Sequence, residues 1–222
     1  MVREKNKAFD LKEACVQAAR EVISELGVES WSMRDVARRL QISHQAPYRH
    51  FASRDHLLAE IMRRCFVDFA EHLDRRARSD SPEQDLHLMG MQYMDYAERK
   101  PLEYRLMFGT PWPEPAQHPD LVVHAIHAFD ILRKSLRRMH GDEPKNFARA
   151  DLDAMFIWST LHGMASITHG NVMQHLLLAP GVVRGFRDDL MAKISTALAG
   201  SAPPRRFIAT PAKTKSASRS KP

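Results

Sequence analysis

The stretch SMRDVARRLQISHQAPYRHF, residues 32–51, decides the fold of this chain. Its spacing predicts two short helices around a tight turn, with residues 44–51 forming the second helix. Val36 faces inward from the first helix, Ile42 fills the turn, and Phe51 anchors the end of the second helix. A helix pair of this kind presents its second helix to the major groove of DNA. The stretch therefore predicts a DNA-binding unit.

The polar side chains of this stretch are suited to contacts with DNA. Ser43 or His44 can cap the second helix and leave backbone N–H groups for phosphate. Gln45 can pair through its amide with an adenine edge, although His44 beside it could read the base instead. The hydrogen-bond donors of Tyr48, Arg49 and His50 suit contacts with the DNA backbone, which fix the position of the protein along the duplex. The candidate DNA contacts are Ser32, Arg34, Ser43, His44, Gln45, Pro47, Tyr48, Arg49, His50 and Arg54.

The distribution of charge along the chain is uneven. The net charge is +6, and residues 201–222 carry six basic residues and no acidic one, so this tail accounts for all of it. Because the tail also lacks apolar periodicity, we expect it to be disordered. Residues 30–54 hold five arginines against Asp35 alone. This local cluster of cations is the more useful indication of phosphate binding.

Helical periodicity extends over nearly all of residues 10–200, and no segment alternates as a strand would. The pattern predicts an all-α fold of about nine helices, with an N-terminal three-helix helix-turn-helix domain and a helical C-terminal domain for ligand binding and dimerisation. A long amphipathic helix from about residue 54 joins the two. The predicted domains are residues 8–68, residues 80–200, and a disordered basic tail over 201–222.

The N-terminal motifs resemble those of the tetracycline-repressor (TetR) family of regulators. The resemblance rests on SMRDVA from Ser32, on Ile42-Ser43, and on YRHF from Tyr48, followed by SRD and two leucines. It covers about residues 10–70 and implies a dimer that binds a palindromic operator and is released from DNA by a ligand. Two positions depart from the family pattern. Gln41 stands where a glycine is usual, which predicts strain of about 1 kcal/mol, and Arg54 replaces the usual lysine, which keeps a cation for phosphate.

The second half of the chain shows a weaker resemblance, to the branch of the family whose C-terminal domain is named for Trp, His and Gly. It rests on PLEYRLMF from Pro101 and on WSTLHG from Trp158. Trp158 and His162 are four residues apart and share one helix face, where they line a pocket or pack in the core. The candidate ligand-binding residues are Met107, Phe108, Trp158 and His162. A small apolar or amphipathic effector is the expected ligand.

Two C-terminal helices, predicted at about 147–170 and 183–199, carry more apolar residues than one buried stripe requires. We therefore expect them to pack against the same pair in a second subunit, as a two-fold four-helix interface. Leu190 and Ile194 are the residues of this interface at which introduced charges are expected to yield monomers.

Other functional classes have little support in the sequence. There is no glycine-rich phosphate loop, nucleophile elbow or metal-site motif, so no catalytic residue, metal or cofactor is expected and the chain is not predicted to be an enzyme. His124 and His127 have ligand-compatible spacing, but no further ligand completes a set. No apolar run is long enough to span a membrane. Cys15 and Cys65 fit buried thiols in the cytoplasm, with a redox pair as the alternative.

The sequence thus predicts a sequence-specific transcriptional regulator, acting as a repressor that a small-molecule effector releases from double-stranded DNA. The alternative from another class is a helical metal- or ligand-binding protein without a DNA function. A third interpretation keeps DNA binding without a sensor. The arginine cluster and the motif from Tyr48 to Phe51 favour the first interpretation.

Overall fold

A computed structural model describes residues 10–77, 79–170 and 172–199. These residues form an all-α fold, which confirms the predicted class, with eight α-helices and no strand among them. The N-terminal residues before 10 and the predicted tail 201–222 lie outside the described residues. The helices are α1 Leu11–Leu26, α2 Met33–Arg39, α3 Arg54–Asp74, α4 Pro82–Arg99, α5 Pro101–Phe108, α6 Pro119–His140, α7 Phe147–His169 and α8 Pro180–Ala199.

The helix boundaries in the N-terminal part are fixed by local hydrogen bonds. The Asp10 carboxylate accepts from two backbone N–H groups in the first turn of α1, and Gly27 ends that helix with a φ of 84°. α2 begins with a reciprocal capping box between Ser32 and Asp35. α2 packs against α1, and Val36 is buried.

The prediction of a continuous helix over residues 44–51 is wrong. The segment forms a turn followed by a 3₁₀-helix over Pro47–Arg49. Its backbone bonds run from each N–H to the carbonyl three residues earlier, and only the N–H of Phe51 reaches four residues back, to Pro47. The prolyl nitrogen has no N–H to donate, which keeps this segment from extending a longer α-helix towards its N-terminus.

The turn before this segment carries the strain that the sequence predicted. Gln41 has a φ of 55°, in the left-handed region where glycine is preferred. The N–H groups of Gln41 and Ile42 donate to carbonyls of α2, so the backbone completes its hydrogen bonds despite the unfavourable φ. These local hydrogen bonds therefore hold a non-glycine residue in a conformation that costs about 1 kcal/mol.

The C-terminal part is a bundle in which α3 packs along α6, and α4 packs against α6, α7 and α8. The far end of α3 is fixed by a buried ion pair. Arg76 donates from two nitrogens to the two oxygens of Asp85 in α4, at 3.0 Å each. Ser135 in α6 donates to the same carboxylate at 3.1 Å. Three elements are therefore joined at one carboxylate whose side chain has no solvent exposure.

The position of the last helix corrects two details of the sequence analysis. α8 begins at Pro180 rather than at about 183. Ile194, which the sequence assigned to the dimer interface, is 3% exposed and belongs to the core of its own subunit. Leu190 is half-buried against that core. Charges at these two positions would therefore test the stability of the subunit rather than its dimerisation.

Candidate nucleic-acid interface and ligand cavity

One exposed surface carries most of the candidate DNA contacts. In residues 43–50 the side chains of Ser43, His44, Gln45, Tyr48, Arg49 and His50 are all exposed. Tyr48 is 44% exposed, which is unusual for a large ring without a partner surface. Pro47 is buried and therefore supports this surface from below. The surface offers hydroxyl, amide, imidazole and guanidinium groups together, which is the chemistry that phosphates and base edges accept.

The expected N-terminal cap of the second helix is not formed. Neither Ser43 nor His44 caps the 3₁₀-helix with its side chain, and the N–H of Ala46 donates to the carbonyl of Ser43. The phosphate site expected at the N-terminus of a second α-helix is therefore not formed as predicted, because a single 3₁₀ turn lacks the dipole of a longer helix. The exposed side chains remain the groups that can contact DNA.

The arginine cluster of residues 30–54 is divided by the fold. Arg38 pairs with Asp35 at 3.1 Å, and Arg39 pairs with two glutamates of α1. Arg34 and Arg49 are exposed, and neither has a carboxylate partner within the part of the chain that the structure describes. These two are the cations most readily available to phosphate. The local charge excess read from the sequence therefore overstates the number of available cations.

Arg54 is directed into the protein. Its Nε donates to the carbonyl of Trp31 at 3.2 Å, another guanidinium nitrogen donates to the carbonyl of Val28, and the group lies 4.7 Å from the centroid of the Trp31 ring. The predicted phosphate contact is replaced in this structure by these internal bonds. Arg54 thus ties the start of α3 to the loop before α2. Ser32 is similarly occupied, since its hydroxyl is part of the α2 capping box.

A cavity of about 410 Å³ lies between α3, α4, α5, α6 and α7. Its size falls in the range of small-molecule sites. Met107, Phe108 and Trp158, three of the four predicted ligand-binding residues, lie on its wall, whereas His162 does not. The wall consists of Phe66, Phe69, Leu73, Leu86, Met89, Gly90, Tyr93, Met107, Phe108, Trp112, Ala125, Ala128, Phe129, Leu132, Met155, Ile157, Trp158 and Leu161.

His162 lies behind the wall, in a chain of hydrogen bonds. The hydroxyls of Tyr93 and Tyr104 are 2.8 Å apart, and the Tyr104 hydroxyl is 2.7 Å from Nδ1 of His162. Burial lowers the pKa of His162, so its neutral ring is favoured. Burial also raises the pKa of Tyr104 to about 12, against the opposing hydrogen bond from Tyr93. His162 therefore contacts the cavity wall from behind, through the two tyrosines and through its ring contacts with Phe108 and Trp158.

Sequence reasoning missed most of the cavity wall. Phe66 and Phe69 lie on the inward face of the long helix α3, as its amphipathic pattern implies, but they border a void as well as side chains. Trp112 comes from a proline-rich loop that periodicity does not address. A stripe of apolar residues predicts that a helix face is buried, but not whether it packs tightly against its neighbours. No signal in the sequence therefore distinguishes residues that line a cavity from residues of a filled core.

Metal sites, membrane-spanning helices and free thiols are further properties that bear on function. Within residues 10–77, 79–170 and 172–199 no group of three or more His, Cys, Asp and Glu side chains is arranged to hold a metal ion. Nδ1 of His124 lies 2.7 Å from the carbonyl of Asp120 instead. Among the described helices, none has the length and apolarity needed to cross a membrane. Cys15 and Cys65 are both buried free thiols.

Comparison with known proteins places both halves of the chain in one family. Residues 16–61 match the family model for bacterial regulatory proteins of the tetR family, and residues 86–180 match that for the tetracyclin repressor-like C-terminal domain. The second match does not name the Trp-His-Gly branch, which stays a prediction.

Several proteins that are similar to this chain are named as transcriptional regulators. HTH-type transcriptional regulators Rv1816 of Mycobacterium tuberculosis and Mb1846 of Mycobacterium bovis are each 29% identical over 108 residues, 47% of this chain and 46% of theirs. The chain thus matches about half the length of these curated relatives. A transcriptional regulator from Rhodococcus sp. Rha1 shares the fold, with a TM-score of 0.63 and 22% identity over 87% of this chain and 100% of that one.

Proposed function

This chain belongs to the tetracycline-repressor family of bacterial transcriptional regulators, and we propose that it is a homodimeric repressor released from its operator by a small apolar molecule. The helix-turn-helix domain supplies DNA binding. The observation that carries the rest of the proposal is the cavity of about 410 Å³, because its wall includes residues of α3, which begins beside the exposed DNA-binding surface, and of α6, which contacts the start of α3 at His56.

The path from cavity to DNA runs through α3 and α6. Phe66 and Phe69 of α3 line the cavity, and the same helix begins three residues after Phe51, at the end of the exposed surface. α6 lines the opposite side, and His118 at its start packs edge-on against His56 of α3, with ring centroids 4.8 Å apart. A ligand that spreads these helices would therefore change the orientation of the DNA-binding domain.

Dimerisation is supported by exposed apolar side chains on α7 and α8. Leu152, Met155 and Phe156 form one face of α7 and are 42%, 47% and 45% exposed. Val182 and Val183 of α8 are 46% and 45% exposed. Side chains of this size are rarely left in water as a contiguous group on a monomer. A second copy that covers this face would place two DNA-binding domains on half-sites about one helical turn, roughly 10 bp, apart.

The test is selection of bound sequences from random DNA, followed by titration of the recovered operator. We expect a pseudo-palindrome, with affinity that falls steeply as salt rises. Addition of 2-ethylnaphthalene, an uncharged probe, should weaken operator binding by the wild type. The variant Ala128→Phe, which fills the cavity, should no longer respond to the probe. A single asymmetric site, or equal responses of the two proteins, would contradict the proposal.

A further inference from the structure

The cavity wall holds few polar groups. Among its eighteen residues only Tyr93, Trp112 and Trp158 carry a side-chain oxygen or nitrogen, and none carries a charge at neutral pH. The rest of the wall is aliphatic, sulfur-containing or phenyl. The chemistry of the bound molecule therefore depends on whether these three groups have hydrogen-bonding capacity left for it.

Each of the three groups already has a partner. Nε1 of Trp112 donates to the carbonyl of Met107 at 3.0 Å. The Tyr93 hydroxyl bonds to that of Tyr104, which does not line the cavity. The indole N–H of Trp158 approaches the Tyr93 oxygen as a donor and lowers the pKa of Tyr93, whereas burial first and then Tyr104 raise it.

The direction of this chain follows from its two ends. An indole N–H can only donate, so the Tyr93 oxygen accepts from Trp158. At the other end, the neutral His162 favoured by burial can accept at Nδ1 from the Tyr104 hydroxyl. The Tyr93 hydrogen is then directed at the Tyr104 oxygen. All the polar hydrogens of the wall are therefore used within the protein and point away from the cavity.

We infer that the cavity takes an uncharged aromatic or alicyclic molecule and excludes carboxylates and other anions. An anion there would lose its hydration without gaining a single donor, which is strongly unfavourable. Seven aromatic rings on the wall supply edges and faces for a flat hydrocarbon skeleton instead. This inference rests on the proposed function only in assigning the cavity a regulatory role. It narrows the expected effector from apolar or amphipathic to apolar and uncharged.

Three probes of similar shape test the inference at pH 8 in the absence of DNA: 2-ethylnaphthalene, 2-acetylnaphthalene and 2-naphthoate. Binding can be followed by tryptophan fluorescence, because two of the three tryptophans line the cavity. We expect the two uncharged probes to bind with equal affinity and the carboxylate to bind at least about 100-fold more weakly. Tighter binding of 2-naphthoate, or of the ketone over the hydrocarbon, would overturn the inference.

The variant Tyr104→Phe tests the direction of the hydrogen-bond chain. It removes the acceptor of the Tyr93 hydroxyl and leaves that hydrogen available to the cavity. The ketone should then bind about tenfold more tightly than the hydrocarbon, the value of one hydrogen bond. The matched triple variant Tyr93→Phe/Tyr104→Phe/Trp158→Phe lacks the Tyr93 donor and also the indole N–H that would otherwise lose its acceptor, so it should return the two affinities to equality. An unchanged ratio in a folded Tyr104→Phe protein would contradict the assigned direction.

These measurements separate the inference from the proposed function. If no probe binds at all, the cavity is not a ligand site and the inference fails, whether or not the protein binds an operator. If the uncharged probes bind but leave operator affinity unchanged, the ligand class stands and the proposed release mechanism fails. Should Tyr104→Phe not fold, as judged by thermal melting, the probe series on the wild type decides the ligand class.

Discussion

At the scale of single residues, Gln45 and Tyr48 have the same exposed setting but different chemistry. The Gln45 amide can donate and accept at once, as an adenine edge requires. The Tyr48 hydroxyl is a single donor on a ring, suited to a phosphate oxygen. Exposure alone does not distinguish base recognition by Gln45 from phosphate contact by Tyr48, but substitution of each residue does.

We predict that Tyr48→Phe weakens binding to all DNA sequences by a similar factor, because it removes a backbone contact. Gln45→Ala should instead relax the preference at one or two base pairs, by about 1–3 kcal/mol. Binding of each variant to a library of operator sequences measures both effects. A changed sequence preference in Tyr48→Phe with an unchanged one in Gln45→Ala would reverse the two assignments.

At the scale of helices, the buried Arg76–Asp85 pair holds the end of α3 to α4 and, through Ser135, to α6. Burial alone would raise the pKa of Asp85, but the Arg76 guanidinium lowers it below its usual value. The carboxylate is therefore ionised in the folded protein and fully paired. This pair keeps fixed the end of α3 that lies farthest from the DNA-binding domain.

We predict that Asp85→Asn destabilises the fold by about 3–5 kcal/mol, because the buried Arg76 charge loses its two-oxygen partner and keeps only the exposed Asp74 carboxylate, 3.5 Å away. The matched control is Glu71→Gln, which breaks an exposed pair with Arg75 on the same helix and should cost less than about 1 kcal/mol. Urea unfolding of the two variants measures the difference. Equal costs would mean that the buried pair contributes no more than a surface one.

The contact between α3 and α6 is sensitive to pH. Burial, and then the neighbouring His56, lower the pKa of His118 below its reference of 6.5, while Asp55 opposes the shift. The unfolded chain therefore takes up this proton more readily than the folded one. Stability is fully present above about pH 6.5 and is lost as pH falls from there towards the lowered pKa.

We predict that His118→Phe, which keeps a ring against His56, reduces the loss of stability between neutral pH and about pH 5. Part of the loss should remain, because the pKa of His162 is also lowered by burial. Thermal melting across this range gives the measurement, with the exposed His87→Phe as the control. If the two variants lose stability in parallel, His118 does not contribute to the acid sensitivity.

At the scale of the whole molecule, the dimer interface that we propose on α7 and α8 would bring two DNA-binding domains together. We predict that Phe156→Glu yields monomers in sedimentation and weakens operator binding by at least about 100-fold, because a half-site supplies too few contacts. Val123→Glu introduces the same charge at an α6 residue that is 59% exposed and should leave the dimer intact. Dissociation by Val123→Glu instead would place the interface on α6.

The sequence by itself determined the all-α class of this protein and the start or end of several helices. Helix starts at Asp10 and Ser32, the end at Gly27 and the strained turn at Gln41 are all set by residues close in the chain, so their types and spacing were sufficient to predict them. The motif of residues 32–51 also indicated the family, because its residues lie close together in the chain and can be recognised without knowledge of the tertiary structure.

Only the tertiary structure determined which partners the side chains of these helices contact and which of them are buried. Arg54 lies on Trp31 instead of an open surface, Ile194 is in the core, and a void among α3, α4, α5, α6 and α7 borders apolar stripes that the sequence predicts to be fully packed. Each outcome depends on groups far apart in the chain. Periodicity fixes which face of a helix is apolar, but the partner of that face is set by the packing of the whole bundle.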